Sequence, residues 1–157
     1  MRVKYLALAR YSELNPVDGS CVVVGFDPER IIVPSFPAVF GYVHILVKLI
    51  IPKVYAGVER TFRLEILDAE QKGVVEPVTG ILAFPPVPEG RMQLAMMMNL
   101  NVPGPIFPEA GWYSLVLHVG EDVVAENPFR IELVEAPPES GGPLPDAFDG
   151  YRSGVVR

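Results

Sequence analysis

The residues of this chain that could do chemistry are few: His44 and His118, Cys21, the serines Ser12, Ser20, Ser35 and Ser114, and the loop carboxylates Asp27, Glu29, Asp68 and Glu70. A metal centre needs three or four ligands brought together. Neither histidine has a cysteine, histidine or carboxylate at ligand spacing in its own stretch, and both fall on the polar side of an alternating pattern, so both read as surface or rim histidines. Asp68 and Glu70 could meet Asp27 and Glu29 across loops as oxygen ligands for calcium. The spread of ligands that a calcium loop places along one turn is missing, however, and they read as solvated loop carboxylates. No serine lies in a nucleophile-elbow context. No glycine-rich loop follows a strand and opens a helix to cradle phosphate. Cys21 lies in the apolar run CVVVGF and reads as a strand residue rather than a reactive thiol. No catalytic residue, metal or cofactor is expected from these patterns. An enzyme or small-ligand site would have to be assembled from loops and strand ends, bringing residues such as His44, Arg63, Asp27 and His118 to one pocket in three dimensions.

The elements that would position any such site are strands. In GWYSLVLHVGEDVVAENPFRIELV, residues 111–134, Tyr113, Leu115, Leu117 and Val119 alternate with Ser114, Val116 and His118, and Phe129, Ile131 and Leu133 alternate with Arg130 and Glu132. Period two on both sides of Gly-Glu-Asp is a hairpin of two half-buried strands. A three-residue loop at Gly120–Asp122 places every odd-numbered apolar residue on one face, with Tyr113 opposite Phe129. A two-residue turn keeps that phase only with a bulge, expected near Asn127-Pro128.

Other stretches alternate in the same way. Val3–Tyr11 and Ser20–Phe26 flank the turn residues of NPVDG, and Tyr42–Ile51 is the most apolar stretch. Val58–Asp68 puts Phe62, Leu64 and Ile66 inward, and Val74–Phe84 returns from a polar loop. Arg91–Val102 is rich in helix formers, yet Met92, Leu94, Met96, Met98 and Leu100 alternate, which predicts a strand with Met97 outward. Pro85–Gly90 reads as a stiff connector between sheets. Seventeen prolines and fourteen glycines suit short strands joined by turns. A tyrosine two residues after Gly111 resembles the corner tyrosine of immunoglobulin-like folds. The expectation is an all-β, two-layer antiparallel β-sandwich with Greek-key connections, immunoglobulin-like in architecture, over residues 1–136. Residues 137–157, without periodicity, form a Pro/Gly-rich C-terminal tail.

Net charge of −6 with no basic block excludes nucleic acid as a natural partner. No run approaches the roughly 18 apolar residues of a spanning helix, and the apolar run Tyr5–Ala9 is too short for a signal segment. One cysteine offers no disulfide framework, so a cytoplasmic protein without membrane contact is expected. Leu6 and Leu8, Leu46, Trp112 and Val116 break the polar-outside rule. Leu46, Trp112 and Val116 are therefore the interface candidates, and a homodimer or higher homo-oligomer with Trp112 near its contact is expected. The function that fits is a non-enzymatic protein-binding or assembly module, with a protein partner or self-association; the alternative is the small-ligand binder or enzyme described above.

VKYLALARY, the turn NPVDGS, CVVVGFD, the connector VPSFPA and the late NLNVPGPIFPEAGWYSLVLHVGEDV together resemble an uncharacterised bacterial family. The resemblance covers about residues 1–135 and rests on turn and packing motifs. It implies a small cytoplasmic β-sandwich and no assigned activity.

Overall fold

The structure, a computed structural model, describes residues 1–15, 17 and 20–134. The Asp18-Gly19 turn and the segment 137–157 lie outside the described residues. The chain is all-β: β1 (Arg2–Ala9), β2 (Tyr11–Leu14), β3 (Cys21–Val24), β4 (Arg30–Val33), β5 (Ala38–Val39), β6 (Tyr42–Pro52), β7 (Glu59–Asp68), β8 (Val78–Ala83), β9 (Gln93–Pro103), β10 (Ile106–Phe107), β11 (Gly111–Val119) and β12 (Asp122–Leu133). Lys53–Tyr55 make one short 3-10 turn, and there is no α-helix among the described residues. One sheet has the order β1-β6-β9 and another β4-β12-β11-β7-β8, with β2–β3 and β5–β10 as separate pairs.

Both larger sheets feed a single core. Val43, Ile45, Val47, Leu49 and Ile51 of β6 are all buried there, facing Leu64, Ile66, Leu115, Leu117, Phe129 and Ile131 of the five-stranded sheet. In β9, Met96, Met98 and Leu100 pack against the same core, so burial of alternate residues overrides the helical propensity of the stretch. The connector of residues 85–90 leads from β8 in one sheet to β9 in the other. The Tyr113 hydroxyl donates to the Glu109 carbonyl at 2.7 Å, tying the strand entrance to the loop before it. Phe107 stands edge-on to Tyr113 and Phe129, with centroids 4.9 and 6.0 Å away. Asn127 Nδ2 reaches from β12 to the Leu6 carbonyl and to Asp27 Oδ1, both at 2.8 Å, and so joins the two sheets.

Five features depart from the sequence reading. The hairpin turn has two residues, since Val119 pairs with Asp122, and Gly120 takes the positive φ of 64° that the first position of a II′-type turn requires. The compensating bulge is at Val124, between the pairs Leu117–Ala125 and His118–Val123, not near Asn127-Pro128. The first stretch is two strands, because the chain bends at Arg10. A bulge at Lys4 turns Leu6 and Leu8 into the core and Tyr5, Ala7 and Ala9 onto the opposite face. Finally, β4 pairs parallel to β12, so the larger sheet is not wholly antiparallel. Pro28 and Pro34 bracket β4 and confine it to a short edge strand.

Leu117→Ala is expected to cost about 2–5 kcal/mol in urea melts, the usual range for a fully buried leucine. Glu132→Ala, which loses exposed ion pairs, should cost under about 1 kcal/mol. Equal losses would contradict the inside–outside assignment. Burial pushes the Tyr113 phenol above the ordinary tyrosine range, with the nearby Glu109 and Asp68 charges adding to the rise. The folded state therefore favours the neutral phenol. That contribution is complete below the free-tyrosine pKa of about 10 and is lost as pH rises through the folded value. Tyr113→Phe should flatten the alkaline loss of stability; an unchanged slope would place the titration elsewhere.

Candidate functional site

Because Phe129 and Ile131 point into the core, Arg130 and Glu132 point out from β12. The register carries this outward row across three strands: Trp112 of β11 is level with Arg130, and Arg30 and Ile32 of β4 are level with Arg130 and Glu132. The Arg130 guanidinium lies 5.9 Å from the Trp112 ring centroid, a cation–π arrangement. Glu132 is ion-paired to Arg130 Nε at 3.1 Å and accepts from Arg30 Nε at 2.9 Å, and its Oε2 also takes Arg30 Nη2. These exposed pairs add little stability. Their effect is to orient: one carboxylate holds two guanidinium groups, one of them over the indole. Two arginines against one glutamate leave a locally positive surface on a chain of net charge −6. Trp112 is 57% exposed and Ile32 59%, with Leu133 and Val134 exposed beside them. Tryptophan and arginine beside exposed aliphatic groups are the composition of binding hot spots.

Of the three interface candidates, only Trp112 is on the surface. Leu46 is 1% exposed and Val116 6%. Both point away from the central core, as their phase requires, but each is covered within the chain. Leu46 is paired with Ala7 and Asn99, and β2 is laid across this face by Ser12, whose hydroxyl donates to Asn99 Oδ1 at 2.7 Å and contacts His44 Nδ1 at 3.2 Å. Asn99 Nδ2 returns a bond to the Ser12 carbonyl at 3.2 Å. Further along, Tyr5 packs edge-on against Phe26, with centroids 5.6 Å apart. Val116 sits between its register partners Glu65 and Glu126. Of the outer apolar patch expected from Leu6, Leu8, Leu46, Trp112 and Val116, all but Trp112 are buried within the chain, and the patch offers no route to a dimer.

The serine–histidine contact has the residue types of a nucleophile and its base, but its proton arrangement is wrong for that. A hydroxyl has one proton, and here it goes to Asn99. His44 Nδ1 must then be the donor and Ser12 Oγ its acceptor, so His44 cannot remove the Ser12 proton. Ser12 is buried and fully bonded. The group is a clamp for β2.

His118 and Arg63 do meet. They are register partners, and Glu65 Oε2 lies 2.9 Å from His118 Nε2 and 3.3 Å from Arg63 Nη2. His44 and Asp27 are elsewhere: His44 is beneath β2, and Asp27 is bound to Asn127. Asp68 is used inside its own loop, where Oδ1 accepts from the Glu70 and Lys72 amides at 2.9 Å. Among the described residues no group of three His, Cys, Asp or Glu could hold a metal ion, and no helix is long and apolar enough to cross a membrane. Arg130 was readable from the hairpin register, which already sets it opposite Trp112. Arg30 and Ile32 were not, because they join the surface through a parallel pairing about a hundred residues away in sequence.

A family model described as a family of unknown function, DUF6941, matches residues 4–132. No curated protein matches the sequence. Among solved structures, a superoxide reductase (neelaredoxin) from Ignicoccus hospitalis is 14% identical, covering 80% of this chain and 82% of its own, with a TM-score of 0.29. A score that low carries nothing over to fold or function.

Ser12→Ala and Asn99→Ala should each cost about 1–3 kcal/mol, because each leaves a buried or half-buried polar partner unsatisfied. The double variant should cost clearly less than the sum. Strict additivity in a thermodynamic cycle would mean that the clamp does not act as a unit.

Proposed function

The chain belongs to the family of unknown function DUF6941, and from its own surface we propose that it is a non-enzymatic protein-binding module. The recognition surface is the outward row Trp112, Arg130, Arg30 and Ile32, and the partner is a protein presenting carboxylates beside apolar side chains. The observation that carries this reading is the exposed Trp112 with the Arg130 guanidinium held over its ring. A large indole left in water with an oriented cation beside it gains most when a partner removes the water from both. We read the architecture as a two-layer, immunoglobulin-like β-sandwich, a scaffold that presents sheet faces to partners. The single core shared by both sheets and the Tyr113–Glu109 corner support it. The lone cysteine supports a cytoplasmic setting.

Trp112 is the chain's one tryptophan, so its emission reports this surface alone. A photo-crosslinking residue at position 112 should capture a defined partner in native cells, and the same residue at Ile81, also exposed on this sheet, should not. With that partner purified, binding should shift the Trp112 emission to the blue. Arg130→Ala should weaken binding by about 30-fold, the roughly 2 kcal/mol of a hot-spot residue. Equal capture at both positions, or full affinity in Arg130→Ala, would overturn the reading.

A further inference from the structure

A sheet edge is a row of unpaired peptide groups, and proteins blunt such edges with charge, proline, bulges or brevity. The two larger sheets have four edges: β1 and β4 are blunted, β8 is six residues long against eleven for β9, and β9 is open. β1 carries Arg2 and Lys4 and a bulge at Lys4, and its carbonyls at Leu6 and Leu8 are taken by Asn127 Nδ2 and the Asp27 amide. β4 has four residues, one of them arginine, and β8 has six with Gly80 among them. β9 has none of these protections. It runs for eleven residues, QLAMMMNLNVP, without a charged side chain, without proline before its last position, and in unbroken register with β6.

Which of its peptide groups are free follows from the ladder. Backbone bonds run from the Lys53 amide to the Met92 carbonyl at one end and from the Gly104 amide to the Gly41 carbonyl at the other. In an antiparallel ladder alternate residue pairs exchange hydrogen bonds, so the even-numbered residues from Leu94 to Val102 bond to β6. Ala95, Met97, Asn99 and Asn101 turn their amides and carbonyls to the open side. Among the described residues nothing bonds to them there.

We propose that this edge pairs with the same edge of a second copy, antiparallel across a two-fold axis at Met98, making one continuous six-stranded sheet. The strand is complementary to itself in that register. Ala95 would exchange hydrogen bonds with the second copy's position 101 and Met97 with its position 99, so every free peptide group from Ala95 to Asn101 gains a partner. On the core side, Met98 meets its own symmetry mate and Met96 meets position 100. These half-buried side chains at the open flank would be covered by their equals. On the outer side alanine and methionine face asparagine. No pairing sets like charges together, although the chain as a whole is acidic. Pro103, whose ring has no amide to offer, falls on the open side just beyond the paired segment and ends it. The surface is separate from the Trp112 row, so the two readings stand or fall independently.

Light scattering behind size exclusion at micromolar full-length chain should give twice the 17.2 kDa mass. Asn101→Pro removes an amide that faces the open side and leaves every β6 bond in place. It should yield a monomer with a near-native melting temperature. In a Cys21→Ser background, Met98→Cys should oxidise to a covalent dimer, since directly opposed residues of a non-hydrogen-bonded pair lie close enough for a disulfide. Asn101→Cys, opposite position 95, should not. A monomeric parent chain, a dimer that survives Asn101→Pro, or faster cross-linking at position 101 than at 98 would each overturn the proposal. If Asn101→Pro failed to fold, the cysteine pair would decide alone.

Discussion

One extra residue, Val124, keeps the two halves of the late hairpin in phase. A two-residue turn at Gly120-Glu121 would by itself send Phe129 and Ile131 to the solvent and Arg130 into the core, because side chains in a strand alternate with period two. The bulge restores the alternation, and with it the aromatic cluster of Phe107, Tyr113 and Phe129 at one end of the core. The same correction sets Arg130 opposite Trp112. The core and the Trp112–Arg130 surface are therefore two faces of one constraint, and a shift of one residue in β12 would lose both together.

The alternation that fills the core was legible in the sequence. Phe62, Leu64, Ile66, Met96, Leu115, Leu117, Phe129 and Ile131 all lie in the core or against it, as their phase required. So was the placement of Tyr113 at a strand entrance, since the glycine before it is a local signal. The bulge was legible as a need but not as a place: phase counting shows that one residue must be extra, and does not say which. Lys4 gave no sign that it would rotate Leu6 and Leu8 from the outer face to the inner, because a bulge within a uniformly apolar stretch leaves no trace in periodicity.

The outward row of Trp112, Arg130, Arg30 and Ile32 divides along the same line. Trp112 and Arg130 come from one hairpin and could be paired from its register. Arg30 and Ile32 come from a short strand bracketed by prolines, whose parallel pairing with β12 has no local signature. Leu46 failed as an interface residue for a related reason. Its outward phase was right, but its cover is a pair of strands held by Ser12 through hydrogen bonds to residues 32 and 87 positions away. Exposure is a property of the whole chain, whereas phase belongs to the strand.

That cover has a kinetic side. β2 and β3 pair with each other, not with either large sheet, and β2 is hydrogen-bonded to the sheet beneath it through Ser12, His44 and Asn99. β6 is paired on both sides and buried on its core face. Segments secured by few bonds open at a smaller free energy than the global one. Amide protons of β2 and β3 would then exchange with solvent by a local opening that leaves the β6 ladder closed. Each such event bares Leu46 and Ala7 for as long as it lasts, so the chain carries a transient apolar surface that its resting state hides.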